Sequence, residues 1–358
     1  MKTFVTKSFM PMLTEYENYL KKVYESGVLT NQGPCVQELE KKLAEYLRVP
    51  NFQYVTNGTI ALQLALKALE IEEGEIVTTP FSYVATTSSI LWERCKPVFV
   101  DIETNNFTID VAKIEQAITP NTKAIMAVHV FGYTCDVDAI QKIANKYNLK
   151  VIYDAAHAFG SFYKGKSLCS FGDVSTCSFH ATKVFHTIEG GACICKDDKV
   201  NENLYHIKKF GHDGDEHLML GINGKQSEFN AAMGLALLPY VSYIIKERKR
   251  VCDLYDKLLD GLITRPKVQE DLEYNYAYYP VVFKSENELK KVFKALCEQE
   301  IYPRRYFYPS LNTLQYLKNK QPCPVSEDIC SRIACLPLYP ELSNEIVEKI
   351  CRIIREIL

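Results

Sequence analysis

The sequence has almost no net charge, because 42 lysines and arginines are balanced by 44 aspartates and glutamates and the formal charge is −2. A protein that binds polyanions in a general way normally carries an excess of positive charge. The balance argues against such a function, and we predict no nucleic-acid partner.

Long apolar runs are also missing, and no segment approaches the roughly 20 apolar residues that a membrane-spanning helix needs. Residues 1–13 contain neither a long apolar stretch nor a small-residue cleavage site, so no secretion signal is expected. The 13 cysteines are odd in number and irregularly spaced, which makes a poor disulfide framework. We therefore expect free thiols, no membrane partner and a cytoplasmic protein.

The sequence also lacks a recognisable pattern of metal ligands. Cys193 and Cys195 are one residue apart in a predicted strand, so they lie on the same face, and no His or Cys spacing elsewhere completes a ligand set. Free cysteine behaves as a small apolar residue. We predict buried thiols and no metal.

What the chain does contain is an alternation of short apolar runs with helix-like segments over its first two-thirds. The predicted strands cover residues 76–79, 98–101, 124–130, 151–154, 175–180 and 192–195, and the predicted helices include 59–69 and 136–146. This order is typical of an α/β fold with a largely parallel sheet and crossover helices.

A change of pattern follows residue 229. Residues 229–250 are predicted to form one long helix, apolar at its start and basic at its end, that could link two domains. A strand at 278–283 and helices at 286–300 and 345–358 follow. We predict a large domain at residues 1–240 and a smaller α+β domain at residues 241–358.

Lys183 and Asp154 are the residues that indicate a chemistry, since each follows or ends a predicted strand. An amine can form a Schiff base with an aldehyde, and a carboxylate can keep a pyridinium nitrogen protonated so that the ring withdraws electrons. Together they predict a pyridoxal phosphate site.

A candidate phosphate site comes earlier in the chain, where Asn57, Gly58 and Thr59 precede a predicted helix. The backbone N–H groups and the Thr59 hydroxyl would face an anion at the positive end of the helix dipole. Ser178 could add a second hydroxyl. An ordinary helix cap and an ordinary strand end would explain the same residues.

A set of motifs in this order resembles the DegT/StrS family of nucleotide-sugar aminotransferases. The resemblance runs from residues 29–34 to residues 336–339, and its motifs are Gly-Thr at 58–59, Pro-Phe-Ser-Tyr-Val-Ala-Thr at 80–86, Asp-Ala-Ala-His at 154–157, Ser-Phe-His-Ala-Thr-Lys at 178–183 and Glu-Gly-Gly at 189–191. It implies the aspartate-aminotransferase-like fold, which is fold type I of the pyridoxal phosphate enzymes, and a homodimer with active sites at the subunit interface.

The resemblance also assigns roles at the cofactor. It makes Lys183 the Schiff-base lysine and proton shuttle, Asp154 the partner of the pyridine nitrogen, and Tyr83 the aromatic residue that stacks on the ring. Gly58, Thr59 and Ser178 match the phosphate ligands.

Four further residues are candidates at the edges of the site. Asn223 matches an asparagine that reaches across the dimer interface to the neighbouring subunit's phosphate. His157 stands where the family usually has glutamine, near the ring hydroxyl, and a histidine there would allow a pH effect. His180 and Arg304 are the candidate substrate-binding residues. Arg304 could pair with a carboxylate or a diphosphate, although a solvated surface charge explains it equally well.

The family's usual amino donor is L-glutamate, and its usual acceptor is a nucleotide-linked keto-6-deoxyhexose. The sequence from His180 to Lys183, followed by residues 187–191, resembles the branch that acts on 4-keto sugars. We therefore expect a dTDP-linked 4-keto sugar and a role in making surface polysaccharide such as O-antigen. The alternatives are a 3-keto sugar aminotransferase, a sugar dehydratase, which would have histidine in place of Lys183, and a non-catalytic regulator.

Overall fold

A seven-stranded sheet forms the centre of the computed structural model, which describes residues 2–318 and 320–358. In chain order its strands are β1 Asn51–Val55, β2 Glu75–Thr78, β3 Lys96–Phe99, β4 Thr122–Val128, β5 Lys150–Asp154, β6 Val174–Ser178 and β7 Gly191–Cys195. Their spatial order is β1-β7-β6-β5-β4-β2-β3. β7 is antiparallel to both of its neighbours, and the other neighbouring pairs are parallel.

Helices connect and cover these strands. They are α1 Leu13–Ser26, α2 Pro34–Leu47, α3 Gly58–Ala68, α4 Ala85–Trp92, α5 Val111–Ala117, α6 Val137–Tyr147, α7 Asp198–Ile207, α8 Glu228–Leu237, α9 Val241–Leu259, α10 Glu286–Glu298, α11 Pro324–Arg332 and α12 Asn344–Ile357. Apolar residues of β4 and β5 are buried on both faces of the sheet, as is typical of parallel strands covered by helices. The predicted α/β fold with a mostly parallel sheet is confirmed.

The predicted strands of the sheet agree with the observed ones to within two residues at each end. Helical backbone runs from Glu228 to Leu259, so the long helix predicted at 229–250 is present, but it is not a single regular α-helix. Residues Leu238–Tyr240 form a 3-10 turn between α8 and α9, and α9 continues to Leu259. Pro239 has no N–H to donate and its ring crowds the preceding turn, which explains the break. Strand β1 and helices α1 and α2 were not predicted.

A separate cluster of buried apolar side chains lies in the C-terminal part of the chain, between α9, α10, α12 and an antiparallel pair of strands. These strands are β8 Tyr279–Val282 and β9 Ile333–Leu336. Helix α12 contributes Val347, Ile350, Cys351 and Ile354, whose spacing places them on one helical face. The boundary between residues 240 and 241 stays a prediction.

Short strands complete the list of elements. Thr3–Phe4 pairs in parallel with Ile301–Tyr302, His212–Asp213 pairs with Glu216–His217, and Phe162–Tyr163 pairs with Lys166–Ser167 and Leu272–Glu273. Further 3-10 turns lie at Val130–Gly132, Leu168–Ser170 and Leu311–Thr313.

The region from Glu228 to Leu259 is the one described segment long and apolar enough to cross a membrane by length and composition. Its most apolar 18-residue window has a mean hydropathy of 1.2, but 56% of that window is buried inside the protein. A core helix meets the same criterion. The 13 cysteines are free, and all but Cys297 are buried.

Candidate active site

A cavity of about 540 Å³ lies at the edge of the sheet where β1, β5 and β6 end. Because these strands point in the same direction, their carboxyl ends bring distant parts of the chain together, as is usual for ligand sites in α/β proteins. The cavity is lined by nine predicted site residues, namely Gly58, Thr59, Tyr83, Asp154, His157, Ser178, His180, Lys183 and Arg304.

Asp154 is the last residue of β5, and its carboxylate is buried in the cavity wall. Oδ2 accepts a hydrogen bond from the Thr86 hydroxyl at 2.8 Å, and Oδ1 accepts one from the Ala156 N–H at 3.1 Å. Burial raises the pKa of the Asp154 carboxyl, while both hydrogen bonds and the charge of Lys183 act in the opposite direction. A cationic ring nitrogen would stabilise the carboxylate here.

Lys183 lies in the loop between β6 and β7 and is half-buried. Its Nζ donates a hydrogen bond to the Tyr278 hydroxyl at 3.4 Å. Burial lowers the pKa of the Lys183 amine to about 8, although the negative charge of Asp154 acts to raise it. A much larger share of this amine is therefore neutral near physiological pH than for a solvated lysine, which makes it a better nucleophile.

The phosphate site predicted from the sequence is the N-terminus of α3. The Asn57 side chain accepts the N–H of Ile60 at 2.9 Å, and the N–H groups of Gly58 and Thr59 come too early in the helix to have intrahelical acceptors. A Cβ on Gly58 would approach the Cβ of Ser178 to 2.9 Å. Glycine thus lets the helix start lie against the end of β6, where the Ser178 hydroxyl shares the cavity.

His157 lies under the cavity with its ring buried. Its Nδ1 accepts the backbone N–H of Phe131 at 3.1 Å, so a neutral ring carries its proton on Nε2. Burial and the charge of Lys183 lower the pKa of His157 well below its ordinary value. The pH effect that the sequence allowed at this position is not supported, because the ring stays neutral.

The remaining predicted residues lie around the rim. Tyr83 is 57% exposed in the single chain. His180 Nδ1 is 2.8 Å from the Thr182 hydroxyl, and its Nε2 is 3.6 Å from Glu189 Oε1. The Arg304 guanidinium lies over the ring of Tyr306, 5.1 Å from its centroid. No carboxylate partner of Arg304 is found among residues 2–318 and 320–358, so it is available to an anionic ligand.

Asn223 does not line the cavity of its own chain. It is exposed, and its Oδ1 accepts a hydrogen bond from Lys225 Nζ at 2.9 Å. Its predicted contact with the phosphate of a neighbouring subunit stays a prediction.

Several residues in or beside the cavity were not assigned a role from the sequence. Thr86 fixes the Asp154 carboxylate, and Tyr278 contacts Lys183. Tyr306 and Phe307 close the far wall. Thr86 is the last residue of the motif at 80–86, which could have indicated it. Nothing local marks Tyr278, which is 95 residues from Lys183 along the chain.

The site has the donors and acceptors that pyridoxal phosphate requires. A buried carboxylate without an ion-pair partner in the described part of the chain could face the ring nitrogen, and the amine of Lys183 could meet the aldehyde. The free N–H groups of α3 with the hydroxyls of Thr59 and Ser178 could hold the phosphate.

Comparison with known proteins agrees with this arrangement. Residues 12–355 match the model of the DegT/DnrJ/EryC1/StrS aminotransferase family. The chain belongs to this family. It is therefore an aminotransferase, and the fold implied by the sequence motifs is confirmed.

Individual members of the DegT/DnrJ/EryC1/StrS family are similar over nearly the whole chain. A dTDP-4-amino-4,6-dideoxy-D-glucose transaminase from Shigella dysenteriae is 43% identical over 99% of this chain and 98% of its own. A GDP-perosamine synthase from Escherichia coli O157:H7 is 36% identical over 97% of each chain. The crystal structure of DesI in the presence of its TDP-sugar product superposes with a TM-score of 0.94 at 27% identity, covering 99% of this chain and 92% of that one.

Proposed function

We propose that this aminotransferase uses pyridoxal phosphate to move an amino group from L-glutamate to C4 of dTDP-4-keto-6-deoxy-D-glucose. The product would be dTDP-4-amino-4,6-dideoxy-D-glucose, a precursor for surface polysaccharide such as O-antigen. The observation that supports this chemistry is that Lys183, Asp154 and the N-terminus of α3 line the same cavity. The name of the Shigella dysenteriae relative supports the choice of sugar.

When bound, pyridoxal phosphate supplies an aldehyde that accepts the amino group and a ring that withdraws electrons from the neighbouring carbon. Asp154 would keep the ring nitrogen protonated, and Thr86 orients its carboxylate. Lys183 would carry a proton from the α-carbon of the donor, and in the second half-reaction it would return a proton to the sugar carbon. A pKa of about 8 suits both directions, because the amine can accept and release a proton near neutral pH.

Arg304 is the residue we assign to anion binding in the substrate part of the cavity. Its guanidinium is exposed at the rim, and a diphosphate or a donor carboxylate would match its planar donors. His180 lies across the opening beside Thr182 and Glu189, where it could contact the sugar.

A GDP-linked 4-keto sugar is the second candidate acceptor, because one relative is a GDP-perosamine synthase. A 3-keto sugar remains the alternative for the position of the amine. The sugar dehydratase is disfavoured by the lysine at position 183.

We further propose a cytoplasmic homodimer in which Asn223 contacts the phosphate held by the partner. The 13 free thiols suit a reducing compartment, and exposed Asn223 could reach another chain. Analytical ultracentrifugation of wild type and Asn223→Ala, with cofactor content measured in parallel, tests the dimer and the contact separately.

The experiment for the function uses the colour of bound pyridoxal phosphate. We expect the purified protein to be yellow, to bleach with L-glutamate, and to recover its colour when the dTDP-4-keto sugar is added. Lys183→Ala should not show this cycle, whereas Lys199→Ala, which removes an exposed surface lysine, should retain it. If no amino donor changes the spectrum of the cofactor-loaded wild type, the transaminase proposal is wrong.

A further inference from the structure

Tyr278 lies between the predicted catalytic lysine and the C-terminal wall of the cavity, and no role has been assigned to it so far. Its hydroxyl oxygen is 3.4 Å from Lys183 Nζ. In the described part of the chain, this is the only side-chain hydrogen bond of either group. A lysine with four rotatable bonds is thus held at its tip by one phenol.

The Tyr278 ring is itself held by aromatic neighbours from both parts of the chain. It meets the ring of His157 edge-on at a centroid distance of 4.9 Å and that of Tyr306 at 5.6 Å. Phe131 lies 5.5 Å away at a tilt of 58°. These contacts fix the direction in which the hydroxyl points, because the two torsions of a tyrosine leave little other freedom once the ring is packed.

We propose that Tyr278 is a positioning residue that keeps the amine of Lys183 in place while it moves a proton between substrate and cofactor. The inference rests on the proposed aminotransferase mechanism. A neutral phenol can accept a hydrogen bond from the ammonium form of Lys183 and donate one to the amine form, so a single contact serves both protonation states.

The protonation states near Lys183 are compatible with this role. Burial raises the pKa of Tyr278, so the phenol remains protonated over the pH range in which Lys183 titrates. Asp154, Tyr83 and His157 are the other titratable groups facing Lys183. Since burial makes the largest contribution to the lowered pKa of Lys183, loss of the Tyr278 hydroxyl should change its position more than its proton affinity.

The test compares Tyr278→Phe with Tyr276→Phe. The first substitution removes the hydroxyl and retains the ring, and the second removes a phenol two residues away that does not line the cavity. Each variant is loaded with pyridoxal phosphate, and its cofactor content and thermal unfolding are measured first. We expect both to match wild type, because no packing contact is lost.

For Tyr278→Phe we expect kcat to fall by roughly tenfold to a hundredfold, with KM for both substrates changed by less than about threefold, because a misplaced proton-transfer group slows the chemical step. The deuterium isotope effect with α-deuterated L-glutamate should increase, since proton transfer becomes more rate-limiting. Tyr276→Phe should show wild-type values for kcat and for the isotope effect.

A second measurement does not depend on turnover. In the cofactor-free proteins, the rate at which an amine-reactive acylating reagent modifies Lys183 is followed against pH by mass spectrometry. The midpoint should lie near 8 in wild type and move by less than about half a unit in Tyr278→Phe. A larger shift would mean that the hydroxyl sets proton affinity, and it would overturn the positioning role.

Failure of this inference and failure of the proposed function look different. If wild type transaminates and Tyr278→Phe has the same kcat and isotope effect, the inference about Tyr278 is wrong and the function stands. If loaded wild type transaminates no keto sugar, the proposed function has failed, and the acylation experiment still reports on Lys183.

Discussion

Replacing Asp154 by asparagine should separate stability from function at one position. The carboxylate accepts from the Thr86 hydroxyl and the Ala156 N–H, and the Thr86 hydroxyl is also 2.7 Å from that of Ser82. An amide fits this network. Its oxygen can accept from Ala156, its NH₂ can donate to Thr86, and Thr86 can then donate to Ser82. We expect the cofactor-free variant to lose less than about 1 kcal/mol of unfolding free energy.

The difference in unfolding free energy between Asp154→Asn and wild type should depend on pH. Because burial raises the folded-state pKa of Asp154, the folded cofactor-free protein binds this proton more tightly than the unfolded chain does. The associated stability is full below the unfolded-state pKa and is lost as the pH rises through the folded-state pKa. Asparagine does not titrate, so Asp154→Asn does not show this loss. The unfolding free energy of the variant relative to wild type should therefore increase as the pH rises from acidic to neutral.

Turnover of the cofactor-loaded Asp154→Asn variant should fall. A hydrogen bond to a charged group contributes about 1.5–3 kcal/mol, which corresponds to a loss of roughly tenfold to 150-fold when the charge is removed. Loss of ring protonation would add to this. Asp173→Asn is a suitable control, since Asp173 accepts the Val151 N–H at 2.7 Å and does not line the cavity.

The assays are urea unfolding of the cofactor-free proteins at several pH values and steady-state transamination of the loaded ones. Our reasoning about Asp154 would be refuted by a loss of several kcal/mol at neutral pH in the cofactor-free variant. Turnover within about threefold of wild type would refute its assigned role at the ring nitrogen.

Two further predictions concern the cofactor site. Gly58→Ala should weaken pyridoxal phosphate binding by about 1–3 kcal/mol, because the new Cβ would contact the Cβ of Ser178 at 2.9 Å and separate α3 from β6. Equilibrium dialysis measures the affinity for the cofactor. An unchanged affinity would contradict the close approach of the two segments. His157→Gln should leave the shape of the pH profile of kcat unchanged, whatever its effect on the rate, because His157 is neutral over the pH range of the assay. If a titration step disappears from the profile of the variant, His157 does titrate and the prediction is wrong.

Six of the seven strands of the central sheet, and the residues at the ends of β5 and β6, could be predicted from the sequence. Short apolar runs mark buried strands directly, and the carboxyl ends of parallel strands meet at one edge. Lys183, Asp154 and the start of α3 were therefore expected to lie together, and they do. Pro239 was a local signal for the turn between α8 and α9, and the prediction of one long helix overlooked it.

Other parts of the site depend on tertiary packing and have no local signal. Tyr278 reaches Lys183 because β8 and the C-terminal wall pack against the cavity. The aromatic contacts among Phe131, His157 and Phe307 join residues from three distant segments. Periodicity reports which residues are buried, but it does not report which of them meet.

The most direct test of the proposed function is a product assay with the 4-keto and 3-keto dTDP-sugars supplied side by side to the loaded enzyme with L-glutamate. Mass spectrometry detects the amino sugar, and NMR locates the amine. We predict an amine at C4 from the 4-keto sugar. An amine at C3 would contradict the assigned carbon, and no amino sugar from either substrate would contradict the proposed acceptor.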